Sequence, residues 1–574
     1  MTGRRSNREE RTTCLDSTII SVSGWRRCFG GSPESTAAGI SLPEEDIIIV
    51  AVHAFLAEIS QKHPTIAVGM DTRPTGPAIA QIVVQALLVC GATPRFLGVV
   101  PSPQIFAYTG IEEELAGFFY ISASHNPIGY NGFKMGLQNG GVLSAAAAGR
   151  VESRFRKIVD DQRQVERIGG AVSHLPREHI TPVMDEQLLW QQKSREAYAS
   201  FVVRIAAGGS AEDAFRSSLY AELQTRPLGI VGDLNGSARC LGPDRSLLPS
   251  LGLRTVFLND QPGKIAHQIL PEGAGLEPVS KALHQWHLTD ETFALGYTPD
   301  NDGDRGNVVL IQPNGEPRIL AAQDVFALIV QIELAWLKKN LPGEQKVALV
   351  ANGPTSLRVE AIAAQYGATV FRAEVGEANV VALGERLRRD GWLVPIVGEG
   401  SNGGVIMPPA AVRDPLNTLL SLVKHHCTGQ SIQDSLNQLP RFTTTETDDA
   451  RAKLEVPTVT PAILKESYER LFQERFAPLC EELRESIDLS MYRIENHEGT
   501  DTHIGSGNRN GDHSGGLRVV LIDTQGRDVG FLWMRGSRTE PVFRLIVDVA
   551  GTITPVHDRL IEWHRQLLQD ACQK

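Results

Sequence analysis

The sequence lacks several features that would assign a protein to a specialised class. Its seven cysteines are scattered along 574 residues and form no Cys-x-x-Cys pair. This argues against a zinc ribbon or a redox dithiol and favours reduced thiols. Acidic residues (67) outnumber basic ones (56). The charge balance therefore argues against a general nucleic-acid binder, while local basic pockets for small phosphorylated ligands stay compatible with it.

Long apolar runs are also missing. The longest, near IIIVAVHAFLA, is too short to cross a bilayer. The first residues, MTGRRSNREERTTC, are charged and lack the apolar core of a secretory signal. We therefore expect a cytoplasmic protein with neither a membrane partner nor a nucleic-acid partner.

A recurrent pattern of short apolar runs predicts the fold class. The runs are rich in β-branched residues and end in Gly, Asp, Ser or Asn, and helical periods such as PAIAQIVVQALLVCG and QDVFALIVQIELAWLKKN lie between several of them. The six runs are TIAVGMDTRPTG, LAGFFYISASHNP, PLGIVGDLNGS, ETFALGYTPDNDGDR, KVALVANGPTS and WLVPIVGEGSNGG. Alternating strands and helices predict α/β layers with parallel or mixed sheets, in which ligands bind at the carboxyl ends of strands.

The chain is long enough for about four domains of roughly 150 residues each. A polar, helix-rich stretch from about 150 to 225 separates the first strands from PLGIVGD and is expected to carry the first junction. We predict domains at residues 1–195, 196–318, 319–440 and 441–574. The Gly-, Asn- and Asp-rich segment 497–516 shows no periodicity, and we predict a mobile loop there.

The stretch TPDNDGDRGN carries the sharpest chemical signal. Asp300, Asp302 and Asp304 alternate along it, and a small curl of the chain about Gly303 can bring their oxygens together. Two carboxylates 4 Å apart repel by about 4 kcal/mol at an effective dielectric constant near 20, so convergence favours a bound hard cation. An EF-hand is excluded, because Arg305 and Ile311 stand where its Gly and Glu belong. Magnesium with a phosphate ligand is preferred, and a solvated acidic turn stays open as the alternative.

A second signal lies in WMRGSRTEPVFRL. Guanidinium groups, hydroxyls and backbone N–H groups around a Gly-Ser turn are the donors that a phosphate dianion requires. The side chains concerned are Arg535, Ser537, Thr539 and Arg544. An Arg-rich turn can equally be a solvated surface loop.

Two further loops do not indicate a function when each is considered alone. Glu399 and Ser401 in WLVPIVGEGSNGG suit hydrogen bonds to sugar hydroxyls, but they also suit a tight turn. In SASHNP, Ser124 stands beside His125, which indicates either a nucleophile or an ordinary polar turn at the end of a strand.

Together these loops resemble the motifs of the α-D-phosphohexomutases, a family that includes phosphoglucomutase, phosphomannomutase and phosphoglucosamine mutase. Four motifs stand in the family's order: the serine loop at 122–127, the Asp-x-Asp-x-Asp-Arg loop at 300–305, Gly-Glu-x-Ser at 398–401 and a near match to Arg-x-Ser-Gly-Thr-Glu at 535–540. VSGWR and GMDTRPTG resemble two smaller family motifs. The resemblance implies an α/β protein of four domains, three related α/β domains and a smaller α+β C-terminal domain, around a central cleft.

The resemblance also implies an activity. Members interconvert hexose 1-phosphates and hexose 6-phosphates through a phosphoserine and a hexose 1,6-bisphosphate, here with Ser124 as the phosphoserine. Glucose phosphate is the first expected substrate, with mannose and glucosamine phosphates as alternatives. One Mg²⁺ per chain is expected on Asp300, Asp302, Asp304 and an oxygen of phosphorylated Ser124. We expect a monomer or a homodimer that acts on small-molecule hexose phosphates.

Roles for the other motif residues follow from the same resemblance. His125, Lys134 and Arg26 correspond to residues that assist proton transfer and stabilise charge around the serine. Substrate-binding roles are implied for Arg305, Glu399, Ser401, Arg535, Ser537, Thr539 and Arg544.

Three departures from the family pattern concern substrate binding. Arg538 replaces the usual Gly in the phosphate loop, and Asn402-Gly403 replaces a common Gly-His. The segment VGEANV at 375–380 lacks a frequent lysine. The choice of sugar is therefore less constrained by the sequence than the type of reaction.

Two other functions are compatible with individual loops. A serine hydrolase could use Ser124, but no Gly-x-Ser-x-Gly elbow is present. Adjacent Ser and His side chains diverge on an extended segment, and hydrolysis would leave the Asp triplet without a role. A non-catalytic sugar-phosphate binder is permitted by the altered loops and is disfavoured by the intact Ser and Asp loops.

Overall fold

The computed structural model describes residues 19–21, 24–28, 35–36, 38–341, 343, 345–446, 449–455, 461–505, 515–536 and 542–573. The chain divides into two compact units. Unit 1 consists of Met1–Ile319 and Pro409–Cys427, and unit 2 consists of Leu320–Pro408 and Thr428–Lys574. The described residues form four sheets, two in each unit.

The first sheet of unit 1 has the strand order β1-β2-β6-β5-β3-β4. Its strands are β1 (Ile19–Ser21), β2 (Gly24–Cys28), β3 (Thr65–Met70), β4 (Thr93–Val99), β5 (Leu115–Ile121) and β6 (Tyr130–Leu137). The helices Leu42–Leu56, Gly76–Val89 and Ser102–Ile111 lie between these strands in the chain. Strand β5 pairs parallel to β3 and antiparallel to β6. All of its residues are buried, as expected for a strand covered on both faces.

The stretch from about 150 to 225 is helical, as its composition predicts. Its helices are Ala145–Asp160, Gln162–Ser173, Arg177–Asp185, Gln187–Ala207 and Glu212–Thr225. Helix Gln187–Ala207 ends at Gly208, whose φ of +57° gives the left-handed C-cap that glycine adopts without strain.

The second sheet of unit 1 has the order β11-β10-β9-β7-β8. Its strands are β7 (Gly229–Asp233), β8 (Arg254–Leu258), β9 (Phe293–Pro299), β10 (Gly306–Ile311) and β11 (Pro317–Ile319). The accompanying helices are Asp244–Ser250 and Glu277–Thr289, with the 3₁₀ helices Ala238–Leu241 and Gly273–Leu276. Strands β7, β8 and β9 are parallel, and β10 and β11 continue the sheet with antiparallel pairing, β11 at its edge. Helix Pro415–Cys427 completes unit 1.

The third sheet, in unit 2, has the order β13-β12-β14-β15. Its strands are β12 (Ala348–Asn352), β13 (Thr369–Ala373), β14 (Val397–Glu399) and β15 (Gly404–Ile406). Its helices are Ala322–Asn340, Arg358–Tyr366 and Glu377–Arg389, and the 3₁₀ helix Gly400–Asn402 links β14 to β15.

The fourth sheet follows the path β16-β22-β21-β20-β18-β19, with β17 also paired to β22. Its strands are β16 (Phe442–Thr444), β17 (Lys453–Glu455), β18 (Met491–Glu498), β19 (Asp501–Ile504), β20 (Gly516–Ile522), β21 (Asp528–Gly536) and β22 (Val542–Ala550). Its helices are Ile432–Asn437, Pro461–Leu483 and Thr554–Cys572, and a 3₁₀ helix spans Ala450–Ala452. One face of this sheet packs on the two long helices through a core that includes Phe472, Leu545 and Trp563.

The prediction of a mobile loop at 497–516 is wrong where the structure describes this segment. Strands β18 and β19 form a hairpin in which Glu498 pairs with Asp501. Gly499, with φ of +56°, supplies the left-handed turn residue. Residues 506–514 lie outside the described residues. Composition alone missed the hairpin because polar side chains on an edge strand give no apolar alternation.

The α/β fold class with several sheets is confirmed. Each of the six predicted runs forms a strand, and the helix predicted in PAIAQIVVQALLVCG spans Gly76–Val89, with Gly91 at φ of +76° just after it. The exact domain boundaries stay a prediction. No helix in the described part of the chain is both long and apolar enough to span a membrane.

Candidate active site

The Asp triplet forms a buried cluster of carboxylates in unit 1. It lies in the loop between β9 and β10, and ligand oxygens of Asp300, Asp302 and Asp304 lie within 4.8 Å of one another. Asp300 Oδ1 accepts hydrogen bonds from the backbone N–H groups of Gly303 (3.1 Å) and Arg305 (3.2 Å). The loop therefore curls around its first aspartate, which brings the carboxylates together as the alternation predicts.

Ser124 meets this cluster from the first sheet of the same unit. It follows β5, and its Oγ donates to Asp300 Oδ2 at 3.0 Å. Its backbone φ is +51°, a left-handed conformation that costs a non-glycine residue about 1–3 kcal/mol and persists only when its neighbours enforce it. His125 Nδ1 lies 3.4 Å from the same Oγ. The predicted serine and metal loops are thus in direct contact.

Arg73 holds the serine loop in its conformation. Its guanidinium donates to four backbone carbonyls, at distances of 2.5 to 2.8 Å. Three belong to the serine loop, at Ser124, Asn126 and Pro127, and the fourth belongs to Tyr130, the first residue of β6. Its Nε also donates to Asp71 Oδ2 at 3.1 Å. The sequence motif GMDTRPTG contained Arg73 and Asp71, but nothing in it indicated that their partners would be these carbonyls.

Asp71 also connects to the serine through a short relay. Its Oδ2 accepts from Ser122 Oγ at 2.7 Å, and Ser122 Oγ accepts from Ser124 N at 2.8 Å. Burial raises the pKa of Asp71, while the charge of Arg73 and the bonds from Arg73 and Ser122 oppose this. The relay fixes the backbone amide of Ser124, which adds to the support of its left-handed conformation.

Lys134 and Arg413 supply the opposite charge. Lys134 Nζ lies 2.7 Å from Asp302 Oδ2 and 2.7 Å from Asp304 Oδ2. Arg413 Nη2 lies 2.9 Å from the same oxygen of Asp304. Lys134 was predicted from the family resemblance, whereas Arg413 was missed, because its segment AAVRDPLN has no recognisable motif and lies 109 residues from Asp304.

The pKa values of Asp300 and Asp304 shift in opposite directions in this environment. Burial, followed by the charges of Asp302 and Asp304, raises the pKa of Asp300 well above its usual value. Burial also acts to raise the pKa of Asp304, but Arg413, Lys134 and Arg305 outweigh it and lower that pKa. The triplet thus combines one carboxyl whose charge is unfavourable with one whose charge is stabilised.

The donor set fits a hard divalent cation. Asp302 Oδ1 and Asp304 Oδ1 are buried and accept no hydrogen bond from the described residues. A bound cation would satisfy these oxygens and would favour the charged form of Asp300. Carboxylate oxygens with room for water or phosphate are the ligands that magnesium takes.

The predicted sugar loop lies in unit 2. Glu399 is buried at the end of β14, and its Oε1 accepts from Asn352 Nδ2 (3.1 Å) and from the backbone N–H of Gly376 (2.8 Å). Asn352 Nδ2 also lies 3.4 Å from Ser401 Oγ, and Asn402 Nδ2 donates to Glu399 Oε2 at 3.2 Å. The structure therefore brings Glu399 and Ser401 together, and Asn402, which replaces a family residue, helps to orient Glu399.

Two arginines of the predicted phosphate loop share one face of the fourth sheet. Arg535 on β21 pairs directly opposite Arg544 on β22. Arg535 Nε lies 3.1 Å from Glu374 Oε1. Directly opposed like charges repel, so a cationic pair of this kind favours a nearby anion. Ser537, Arg538 and Thr539 lie outside the described residues.

For Arg26 the structure describes the backbone and not the side chain. It belongs to β2, where it pairs with Ile19 of β1 and with Gly132 of β6. This register places it in the strand next to the one that carries Lys134. The predicted role of its side chain stays a prediction.

Comparisons with known proteins agree with these findings. The family model "Phosphoglucomutase/phosphomannomutase, alpha/beta/alpha domain I" matches residues 37–162, and the model for domain III of the same family matches residues 325–442. The phosphoglucosamine mutase of Acaryochloris marina is 26% identical over 394 residues, which cover 67% of this chain and 75% of its own. The phosphoglucomutase/phosphomannomutase of Thermococcus kodakarensis is 26% identical over 395 residues, with coverages of 68% and 75%.

A solved structure supports the same fold. The phosphoglucomutase/phosphomannomutase family protein from Burkholderia thailandensis superimposes with a TM-score of 0.62 at 19% identity, covering 96% of this chain and 97% of its own. At that identity the likeness concerns the fold alone. The two matched domain models, the ordered motifs and the buried serine–aspartate cluster together support the α-D-phosphohexomutase family for this chain and an enzyme of the phosphoglucomutase/phosphomannomutase type.

Proposed function

We propose that this enzyme interconverts hexose 1-phosphate and hexose 6-phosphate, with glucose phosphate as its first substrate. The observation that carries the proposal is the bond between Ser124 Oγ and Asp300 Oδ2, which puts a hydroxyl against a buried carboxylate cluster. A serine in this position can carry a phosphoryl group only if the added charge is neutralised. Lys134 and a bound cation would do this together.

The cation proposed for the cluster is one Mg²⁺. Asp300, Asp302 and Asp304 would hold it, together with an oxygen of phosphorylated Ser124. When bound, it would neutralise charge that develops on the transferred phosphoryl group. The two carboxylate oxygens without hydrogen-bond donors among the described residues support this assignment.

The proposed reaction consists of two transfers in opposite directions. In the first, the Oγ–P bond of phosphorylated Ser124 breaks while a sugar hydroxyl oxygen bonds to phosphorus and releases its proton, and the freed Ser124 Oγ takes up a proton. This yields a hexose 1,6-bisphosphate, which turns around in the site. In the second, Ser124 Oγ releases its proton and bonds to the other phosphate of the sugar, and the sugar oxygen that this phosphate leaves regains a proton. No net phosphate is consumed.

Protein groups would assist these transfers in separate ways. Lys134 would move the proton, and His125 and Arg26 would stabilise charge around the serine. Arg305 would contact the phosphoryl group beside the metal loop. In unit 2, Glu399 and Ser401 would bind sugar hydroxyls, and a phosphate cradle would bind the phosphate that is not reacting. The cradle residues are Arg535, Ser537, Thr539 and Arg544.

Glucosamine phosphate is a second candidate substrate. The relative from Acaryochloris marina is named a phosphoglucosamine mutase, whereas the one from Thermococcus kodakarensis is named for glucose and mannose. In this chain Asn402 bonds to Glu399, and an amide there can both donate and accept hydrogen bonds. Mannose phosphate is also a candidate, as expected from the sequence.

The geometry around Ser124 does not favour a hydrolase. A hydrolytic serine donates its proton to a histidine, but here the closer acceptor of Ser124 Oγ is Asp300 at 3.0 Å, against 3.4 Å for His125 Nδ1. Asp300 belongs to the proposed cation-binding loop, and a serine beside such a loop is suited to phosphoryl transfer. A non-catalytic binder would gain nothing from a serine held in a left-handed conformation at this cluster.

A coupled mutase assay tests the proposal. Glucose, mannose and glucosamine 1-phosphates are each supplied with Mg²⁺ and a trace of the matching 1,6-bisphosphate. Intact-mass analysis of the isolated protein should show one substoichiometric phosphoryl group on Ser124. Ser124→Ala should lose both the phosphoryl group and the activity, whereas Ser173→Ala, on an exposed helix position, should keep both. Full activity in Ser124→Ala would contradict the proposed relay.

A further inference from the structure

Arg239 is a fully buried arginine that contacts the metal loop from behind. It lies in the 3₁₀ helix Ala238–Leu241, which follows β7, and none of its surface is exposed. Its Nε and Nη2 both donate to the carbonyl oxygen of Gly303, at 3.0 and 2.8 Å. Burying a guanidinium costs free energy unless its N–H groups have hydrogen-bond acceptors. The two bonds from Arg239 to the Gly303 carbonyl satisfy two of these groups and fix the carbonyl relative to the guanidinium plane.

This bond belongs to a set that holds the backbone of the loop. Three consecutive carbonyls accept hydrogen bonds from groups outside the loop: Asn301 O from Ala238 N (2.9 Å), Asp302 O from Ser102 N (2.8 Å), and Gly303 O from Arg239. Because the carbonyls are committed to these donors, the conformation of the loop is fixed, and the intervening carboxylates remain available for the cluster. Arg239 is the one side chain among these three donors.

The rest of the guanidinium is tied to two acids. Arg239 Nη2 donates to Asp414 Oδ1 at 2.7 Å, and Nη1 lies 3.3 Å from Asp244 Oδ2. Asp414 follows Arg413, whose guanidinium contacts Asp304. A single buried side chain therefore connects the turn of the loop to the segment that supplies one of its countercharges.

A helix of the 150–225 stretch reinforces this connection. Tyr198, on Gln187–Ala207, donates its hydroxyl proton to Asp414 Oδ2 at 2.7 Å and is almost fully buried. Tyr198 and Arg239 both lie outside the segments that match the family models, 37–162 and 325–442. The sequence did not predict the series of contacts from Tyr198 through Asp414 and Arg239 to Gly303, because the residues in contact are up to 216 positions apart.

We propose that Arg239 is a positioning residue of the metal loop and that Tyr198 supports it through Asp414. The inference rests on the proposed function for the identity of the metal but concerns the loop itself. A positioning role predicts an effect on cation affinity and on kcat beyond any effect on folding. A merely structural role predicts lower stability alone.

The test measures binding of Mn²⁺, as a spectroscopic stand-in for Mg²⁺, by electron paramagnetic resonance on the full chain. Arg239→Met should weaken Mn²⁺ binding by about 10- to 100-fold, the usual effect of losing a residue that orients metal ligands. Arg239→Lys keeps the charge but not the planar fork and should recover part of the affinity. Tyr198→Phe removes one hydroxyl and should weaken binding by about fivefold.

Arg95→Met is the matched control. Arg95 is a mostly buried arginine of the same unit that pairs with Glu114 and stacks on Trp190 at 4.4 Å. Its loss should lower the melting temperature without changing Mn²⁺ affinity. In the assay, the Arg239 variants should lower kcat more than they raise KM for the sugar phosphate.

Three results would overturn the inference. One is wild-type Mn²⁺ affinity in folded Arg239→Lys and Tyr198→Phe, which keeps the test decisive even if Arg239→Met fails to fold. The second is equal weakening in Arg95→Met. The third is a change in stability with no change in kcat. A wild-type protein without mutase activity on any sugar would instead contradict the proposed function, and the Mn²⁺ measurements would still decide the role of Arg239.

Discussion

Ser124 Oγ donates a 3.0 Å hydrogen bond to Asp300 Oδ2, although 176 residues separate the two in the chain. The serine follows a strand of the first sheet, and the aspartate follows a strand of the second. Their contact means that a phosphoryl group on Ser124 would lie against three carboxylates. Such a cluster would be stable only with a bound cation and nearby donors, so the proposed phosphorylation of the serine would depend on metal binding.

Replacing Asp302 by Asn should impair metal binding while the protein stays folded. Asp302 pairs with Lys134 and has a buried Oδ1 without a hydrogen-bond donor among the described residues. The change removes one charge from the cation site while keeping the shape, so kcat should fall by about 10²- to 10³-fold. Mn²⁺ binding and steady-state kinetics measure the effect. Asp290→Asn, at a carboxylate that pairs with Arg254 near the surface, should leave both unchanged.

Replacing Arg73 by Lys should release the serine loop. A lysine cannot donate to four separate carbonyls and to Asp71, so Ser124 should lose its enforced conformation. We expect a loss of about 3 kcal/mol in the free energy of unfolding, together with lower kcat. Urea unfolding and kinetics measure the two effects. The exposed Arg150→Lys, beside Glu58, should change neither, and a wild-type kcat in Arg73→Lys would contradict the role assigned to Arg73.

Replacing Gly303 by Ala should distort the metal loop by contact rather than by backbone strain alone. Gly303 has φ of +73°, and an added Cβ would lie 2.8 Å from Arg239 Cγ. Gly315→Ala is a close control, because its φ is +82° and an added Cβ meets no atom within 4 Å. Both variants should lose about 1 kcal/mol of stability from the left-handed backbone. Only Gly303→Ala should weaken Mn²⁺ binding, and equal binding in both variants would contradict the predicted contact.

His564 should make unit 2 sensitive to acid. Its Nε2 lies 3.1 Å from the carbonyl of Trp533, which can only accept, so Nε2 carries the proton and Nδ1 accepts from the hydroxyl of Tyr468 at 2.6 Å. Burial lowers the pKa of His564 to about 4, against its ordinary value of 6.5. Between these values the unfolded chain binds the extra proton, so stability falls as pH drops from 6.5 and the loss is complete below 4. It amounts to about 3 kcal/mol.

The measurement compares wild type with His564→Phe in urea at pH 7 and at pH 4.5. The variant should lose stability at pH 7, because the Tyr468 hydroxyl and the Trp533 carbonyl lose their partner, and this deficit should shrink at pH 4.5. Tyr468→Phe retains the titrating ring and should keep the acid sensitivity. A deficit of His564→Phe that is equal at the two pH values would show that His564 does not titrate in this way.

The strand-and-loop order of the chain could be read from the sequence because it is local. Apolar runs that end in glycine or aspartate specify strands with polar loops at their carboxyl ends, and all six predicted strands are present. The alternation of Asp300, Asp302 and Asp304 likewise predicted their convergence, because a curl of six residues brings them together. The hairpin at β18–β19 was missed, because its pairing depends on neighbouring strands rather than on an apolar pattern.

By itself, then, the sequence determined that the serine and the Asp triplet lie in loops at the ends of strands, since residues close in the chain share a turn or a strand end. Only the tertiary structure decided what holds those loops: Arg73 on the serine loop, Arg239 on the metal loop, and Arg413 on Asp304. Each of these arginines lies 51 or more residues from its partner. Such contacts leave no periodicity or spacing in the sequence, because they form only when separate strands and helices pack and bury the guanidinium among acceptors.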